Sequence, residues 1–118
     1  MKEDLLRSLG VNVDNSLELL GDMEMYDETL DMFIEENQNR IPRLENFKNS
    51  GDMPGYAIDV HALKSDCKYL GFMKLAEVAY DHELKSKEGD IEYINNHYAE
   101  LMNEYNNVCE IIRKYKGE

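Results

Sequence analysis

The last quarter of the chain carries an apolar repeat that indicates a long helix packed against other helices. Between residues 91 and 115, apolar and aromatic residues recur at steps of three and four, the spacing of one face of an α-helix. These residues are Ile91, Ile94, Tyr98, Leu101, Tyr105, Val108, Ile112 and Tyr115. A stripe of this length predicts a helix that turns one side toward the interior of a bundle.

The rest of the chain shows the same helical spacing and lacks the period-two alternation of a half-buried strand. We predict bundle helices over about 23–48, 55–70, 72–87 and 91–116. Two short helices are expected before them, the second capped by Asp14 and ending at Gly21. Short turns between long helices favour antiparallel neighbours, so the predicted fold is an all-α, up-and-down four-helix bundle. A chain of 118 residues is long enough to form it as one domain.

Two residues refine these helix boundaries. Pro42 lies inside the first predicted bundle helix, where we expect a kink or a local break near Asn39, because proline disrupts helical hydrogen bonds. Asp90 stands immediately before the last helix, at the position where an acidic side chain caps the free N–H groups of the first turn.

The composition limits the partners that the chain can bind. Its net charge is −12, which disfavours nucleic acid and anionic membranes as partners. No apolar run approaches the ~20 residues that span a bilayer, and the first residues do not form a secretory signal. Cys67 and Cys109 form no Cys-x-x-Cys pair, so we expect two buried free thiols in a reducing compartment. These features predict a cytoplasmic protein, and we expect a monomer.

The negative charge is unevenly distributed along the chain. Residues 53–76 carry Asp59 and Asp66 against Lys64, Lys68 and Lys74, a net charge of +1. This is the least negative long segment of a strongly acidic protein. A partner that presents a cluster of carboxylates could approach this segment without repulsion.

His61 lies in this segment, on the predicted helix 55–70. Lys64, Ser65 and Lys68 follow it by three, four and seven positions and therefore share its face. The apolar residues of the segment form a separate stripe, made of Tyr56, Val60, Leu63, Cys67 and Leu70. The helix should thus present an imidazole to solvent beside two ammonium groups and a small hydroxyl. A nucleophilic imidazole near cations, on a rigid element, suits the acceptance of a phosphoryl group.

The sequence around His61 resembles the signature of histidine-containing phosphotransfer (HPt) domains. The resemblance includes His61-x-Leu-Lys followed by a small residue, then Leu70-Gly71, Leu75-Ala76 and Glu83. The layout is also similar in Gly10-Val-Asn-Val-Asp, in the acidic helix from Met25 to Phe33 and in the Gly51-Asp52 turn, so the resemblance runs from about Gly10 onward.

Two positions depart from the family pattern. Ser65 stands where the family most often has glycine, and a serine is still small enough to leave room over the imidazole. His82 stands where the family usually carries an apolar residue. We expect His82 to be a histidine at the edge of the core, hydrogen-bonded to a neighbour, and His97 to lie on the surface.

The resemblance implies a function as a phosphorelay intermediate. His61 would accept a phosphoryl group at Nε2 from the aspartyl phosphate of a receiver domain and pass it to the aspartate of a second receiver. Lys64 would stabilise the phosphate charge, and Ser65 would be the small residue that leaves the approach open. The residues expected to contact the docked partner are Ala57, Ile58 and Lys68.

The same resemblance sets the expected cofactors and partners. No cofactor is expected on this chain, and Mg²⁺ is expected on the partner receiver domain. The expected partners are response-regulator receivers, with a hybrid histidine kinase as a further candidate. The sequence fits either a free-standing protein or one domain of such a kinase.

Other chemistries find little support in the sequence. The glycines form no phosphate-binding loop, so no kinase activity is expected. The three histidines have no zinc-ligand spacing, and none completes a Glu-x-x-His pair for a di-iron site. Two alternatives remain open: a helical adaptor that docks a signalling partner without chemistry, and a plain dimerising bundle. An acid-labile, base-stable phosphoryl adduct on His61 would separate the first function from both.

Overall fold

The computed structural model describes residues 2–117, and within this range it contains six α-helices and no strands. The helices are α1 (Lys2–Ser8), α2 (Val13–Leu20), α3 (Met23–Ser50), α4 (Met53–Leu70), α5 (Met73–Lys87) and α6 (Ile91–Lys116). Helices α3 to α6 pack as a bundle, and α1 and α2 are the short N-terminal helices. The predicted all-α bundle is confirmed.

Hydrogen bonds between helix ends show that neighbours run antiparallel. Tyr26, at the start of α3, donates its hydroxyl to the carbonyl of Leu70 at the end of α4, over 2.7 Å. Tyr115, near the end of α6, donates to Oδ1 of Asp27 near the start of α3, over 2.5 Å. The four long helices therefore alternate in direction around one shared core.

The apolar stripe of α6 supplies one wall of that core. Ile94, Leu101, Val108 and Ile112 are buried, and the three tyrosines of the stripe pack partly buried against them. Ile91 is exposed instead, because it is the first residue of the helix and the packed part of the stripe begins one turn later. Among residues 2–117, no helix is both long and apolar enough to cross a membrane.

In the N-terminal half, one predicted helix cap is wrong and one predicted helix break is absent. Helix α2 is capped by Asn12, whose side chain accepts from the backbone N–H of Asn15, while Asp14 pairs with Arg7 on α1. Helix α3 runs through Pro42 without the expected break near Asn39. Buried residues on both sides of the proline hold the helix against the core, and this packing outweighs the one hydrogen bond that proline removes.

The cysteines are both free, as predicted, but their burial differs. Cys67 is fully buried on α4, and its pKa is raised because burial disfavours the thiolate. Cys109 is only half-buried on α6, so the prediction of a second buried thiol is corrected. It lies beside a surface groove between α3 and α6 rather than in the core.

Both ends of α4, the helix that carries His61, are fixed by specific contacts. The side chain of Asp52 accepts from the backbone N–H of Gly55 over 3.0 Å, so the helix begins two residues earlier than predicted. Gly71 ends it with a φ of +82°, and a Cβ there would meet the backbone oxygen of Asn12 at 2.7 Å. Only glycine fits that position, and its small size lets the end of α4 pack closely against the segment between α1 and α2.

Candidate phosphotransfer site

The structure places the His61 imidazole on the outer side of α4, as predicted. Its side chain is 57% exposed, whereas Val60 and Leu63 on the opposite side of the helix are fully buried. The position therefore combines a helix anchored in the core with a ring that a partner can reach from solvent.

A buried carboxylate on α5 holds the inner side of this ring. Oε2 of Glu83 lies 2.8 Å from Nδ1 of His61 and 2.7 Å from Nζ of Lys87. Oε1 of the same carboxylate accepts from Nζ of Lys64 over 2.6 Å. The Glu83 side chain is only 3% exposed, so its charge is balanced by these three neighbours rather than by water.

The three hydrogen bonds decide the ionisation of Glu83. Burial by itself raises the pKa of this carboxyl, but the hydrogen bonds from Lys64, Lys87 and His61 outweigh burial and lower the pKa to about 2. Glu83 is therefore a carboxylate at neutral pH and can only accept hydrogen bonds.

An ionised Glu83 sets the tautomer of the His61 ring. Because the carboxylate can only accept, Nδ1 must carry the proton in this hydrogen bond. The lone pair of the neutral ring is then on Nε2, for which no partner is found among residues 2–117. In the neutral ring, Nε2 is therefore the unprotonated nitrogen of an exposed, oriented imidazole.

Lys64 lies deeper than its sequence position suggests. Its side chain is 12% exposed, and Nζ stands 4.9 Å from the centroid of the Tyr80 ring in addition to its bond with Glu83. Ser65 is half-buried one turn beyond His61, and Lys68 is exposed on α4. On the predicted face, the ammonium group of Lys64 is therefore held on the side toward α5, whereas that of Lys68 is exposed farther along α4.

The predicted docking residues differ in accessibility. Ile58 is 70% exposed, which is unusual for an isoleucine and suits contact with a partner. Ala57 is buried, yet it lines a shallow depression together with Ile58, His61, Glu83 and Lys87. It can therefore contribute to the floor of the depression rather than project from the surface.

Comparison with known proteins agrees with this geometry. Residues 28–110, which include His61 and Glu83, match the Hpt domain family. The chain belongs to the Hpt domain family. Hpt domains relay phosphoryl groups with receiver domains.

The Hpt chain is also 27% identical over 96 residues to the phosphorelay intermediate protein rdeA of Dictyostelium discoideum. The alignment covers 81% of this chain but only 38% of that relative, so the chain spans well under half of its length. No solved structure matches the chain.

Two residues of this Hpt site were not predicted as site residues. In the sequence, Glu83 stands out only as part of the family signature, and no pattern assigns a role to Lys87. A signal for Glu83 existed, because it falls on the buried stripe of α5 with Ala79 and Ser86, where a carboxylate needs partners. Lys87 follows Glu83 by four positions, the spacing of a favourable helical ion pair.

The second histidine of interest, His82, is part of the core. It is fully buried, its Nε2 donates to the carbonyl of His97 over 3.1 Å, and its Nδ1 accepts from the hydroxyl of Tyr56 over 2.8 Å. The prediction that His82 is hydrogen-bonded to neighbours is confirmed, but the residue lies within the core rather than at its edge. His97 is half-buried and stacks on Tyr93 with ring centroids 4.0 Å apart, so it is less exposed than the predicted surface residue.

Proposed function

We propose that this Hpt domain carries a phosphoryl group on Nε2 of His61. The donor is the aspartyl phosphate of one receiver domain, and the acceptor is the aspartate of a second. The observation that carries the proposal is the hydrogen bond from Nδ1 of His61 to the buried carboxylate of Glu83, because it leaves the Nε2 lone pair directed to solvent.

The transfer step needs no proton acceptor. The Nε2 lone pair attacks phosphorus, the N–P bond forms, and the P–O bond to the aspartyl carboxyl breaks so that the aspartate leaves as a carboxylate. The ring keeps its Nδ1 proton and becomes cationic. Glu83 stabilises that positive charge through the hydrogen bond it already makes. The reverse sequence of bonds delivers the group to the second receiver.

The surrounding residues contribute position and charge. Phosphoryl transfer depends mainly on alignment and charge stabilisation, so a helix fixed at both ends supplies the orientation of the nucleophile. Lys64 adds positive charge beside the ring at a fixed place on Glu83, and Ser65 leaves the approach open. Ala57, Ile58 and Lys68 are the proposed contacts for the receiver, which brings its own Mg²⁺.

The direct test is transfer of radiolabelled phosphate from a phosphorylated receiver. The parent protein should acquire label that survives base and is lost in acid, and His61→Gln should acquire none while its helical content is unchanged. His97→Gln is the matched control, since it removes a partly exposed histidine from another helix, and it should be labelled normally. Normal labelling of His61→Gln would contradict the proposal, as would labelling by ATP without a receiver.

A further inference from the structure

We propose that Lys87, which no sequence signature singles out, is the cation that contacts the phosphoryl group on His61. We further propose that it leaves Glu83 to do so when the histidine is phosphorylated. This inference rests on the proposed function and concerns the charge rearrangement at that same site. In this proposal, Lys64 holds Glu83 in place, and Lys87 moves to contact the phosphoryl group.

The two lysines differ first in their freedom to move. Lys64 is 12% exposed and lies between Oε1 of Glu83 and the ring face of Tyr80. Lys87 is 61% exposed, and Glu83 is its one ionic partner among residues 2–117. A lysine on a flexible four-carbon stem in solvent can redirect its ammonium group at little cost, whereas Lys64 cannot move without giving up both contacts.

They differ also in which carboxylate oxygen they use. Lys87 and Nδ1 of His61 both donate to Oε2, so the ammonium group and the ring lie within two hydrogen-bond lengths of each other. Lys64 uses Oε1. Lys87 is therefore the cation that shares an acceptor with the ring on which the phosphoryl group forms.

Phosphorylation changes the balance at that shared oxygen. The neutral ring becomes cationic, so its Nδ1–H bond to Oε2 strengthens and the ring repels the ammonium group of Lys87. The phosphoryl group on the same ring brings about two negative charges, which attract that ammonium group. Both effects move Lys87 from the carboxylate toward the phosphate.

The exchange leaves no uncompensated charge in the protein interior. After Lys87 departs, Oε1 of Glu83 is still bound to Lys64 and Oε2 is bound to the cationic ring. If Lys64 moved instead, Oε1 would lose the hydrogen bond that it has in this structure inside a buried site, a costly outcome. The geometry thus permits the departure of one lysine and opposes that of the other.

The experiment uses the full chain phosphorylated by phosphoramidate, without a receiver, and follows the phosphoryl group by ³¹P NMR across pH. A nearby ammonium group favours the dianion, so Lys87→Gln should raise the titration midpoint of the phosphoryl group by about half a pH unit, the size expected for an exposed ion pair. Lys85→Gln is the matched control on the same helix, because it removes a partly exposed ammonium group that pairs with Glu88 instead of Glu83. It should leave the midpoint unchanged.

A second variant and a change of salt concentration test the assignment further. Lys64→Met retains the apolar stem and should move the titration midpoint of the phosphoryl group less than Lys87→Gln does. At about 1 M salt, Lys87→Gln should no longer raise that midpoint. Equal midpoints in Lys87→Gln and Lys85→Gln, or a larger shift in Lys64→Met, would overturn the assignment of Lys87. A separate incubation with a phosphorylated receiver that leaves no phosphoryl group on His61 of the parent protein would instead overturn the proposed function.

Discussion

At the scale of single residues, the site depends on a carboxylate that the solvent hardly reaches. Glu83 accepts hydrogen bonds from one imidazole and two ammonium groups, and the pKa of about 2 follows from those bonds outweighing burial. Its charge fixes the ring of His61 as the tautomer in which Nε2 is unprotonated. The proposed nucleophile is therefore oriented before a partner arrives.

Removing this carboxylate should slow transfer more than it unfolds the protein. In Glu83→Ala, the His61 ring loses its hydrogen-bond partner and can turn away from the line of attack, and a misplacement of about 1 Å costs roughly 100-fold in rate. We expect transfer from a phosphorylated receiver to slow by about 10- to 100-fold, measured in single-turnover assays. Glu88→Ala, on an exposed carboxylate of the same segment, is the control. Unchanged transfer in Glu83→Ala would show that the ring does not need this support.

Ser65 provides a steric test of the approach to the ring. Side chains on a helix lean toward its N-terminus, so a residue one turn beyond His61 leans over the imidazole. Ser65→Gly should retain transfer at a stability cost of about 0.5 kcal/mol or somewhat less. Ser65→Gln should block transfer while the melting temperature stays near that of the parent. Transfer at the parental rate in Ser65→Gln would show that the receiver does not approach His61 over this residue.

At the scale of helices, His82 connects α5 to both of its neighbours. It accepts from Tyr56 on α4 and donates to the backbone of α6 at His97. Burial is the main cause that lowers the pKa of His82 to about 4, below its ordinary value of 6.5. The buried neutral ring thus joins three bundle helices immediately beside Glu83.

This lowered pKa predicts a specific loss of stability in acid. Between pH 6.5 and about 4, the unfolded chain binds a proton at His82 and the folded protein does not, so the stabilisation present above pH 6.5 is lost as the pH falls toward 4. The loss attributable to this residue should reach about 3 kcal/mol, on the scale of 1.4 kcal/mol per pH unit. The free energy of unfolding, measured with urea at several pH values, should change less steeply with pH over this window in His82→Leu than in the parent protein. The same pH dependence of the free energy of unfolding in both proteins would contradict this role of His82.

At the scale of the whole molecule, periodicity predicts most of the architecture. The stripe on α6 and the turns at Gly51 and Gly71 predict the order and approximate bounds of the bundle helices, because each depends only on nearby residues. The continuity of α3 through Pro42 was not predictable in this way, since packing against distant helices decides it.

In the candidate site too, features that depend on one helix could be predicted, and features that depend on the packing of two helices could not. His61 and its exposure follow from the pattern within α4, and the structure agrees with both. The place of Lys64 on Glu83, and the presence of Lys87 beside them, depend on how α5 lies against α4. A single helix cannot reveal a hydrogen bond to its neighbour, so the sequence alone indicated the proposed nucleophile but not the carboxylate that orients it.

The central claim is that His61 carries the phosphoryl group on Nε2 while Nδ1 stays protonated on Glu83. NMR of the protein labelled with ¹⁵N in its histidines, recorded after phosphorylation by a receiver, tests it most directly. The account predicts that the ring nitrogen coupled to ³¹P is Nε2 of His61 and that Nδ1 carries a proton. A phosphoryl group on Nδ1, or on His82 or His97, would contradict it.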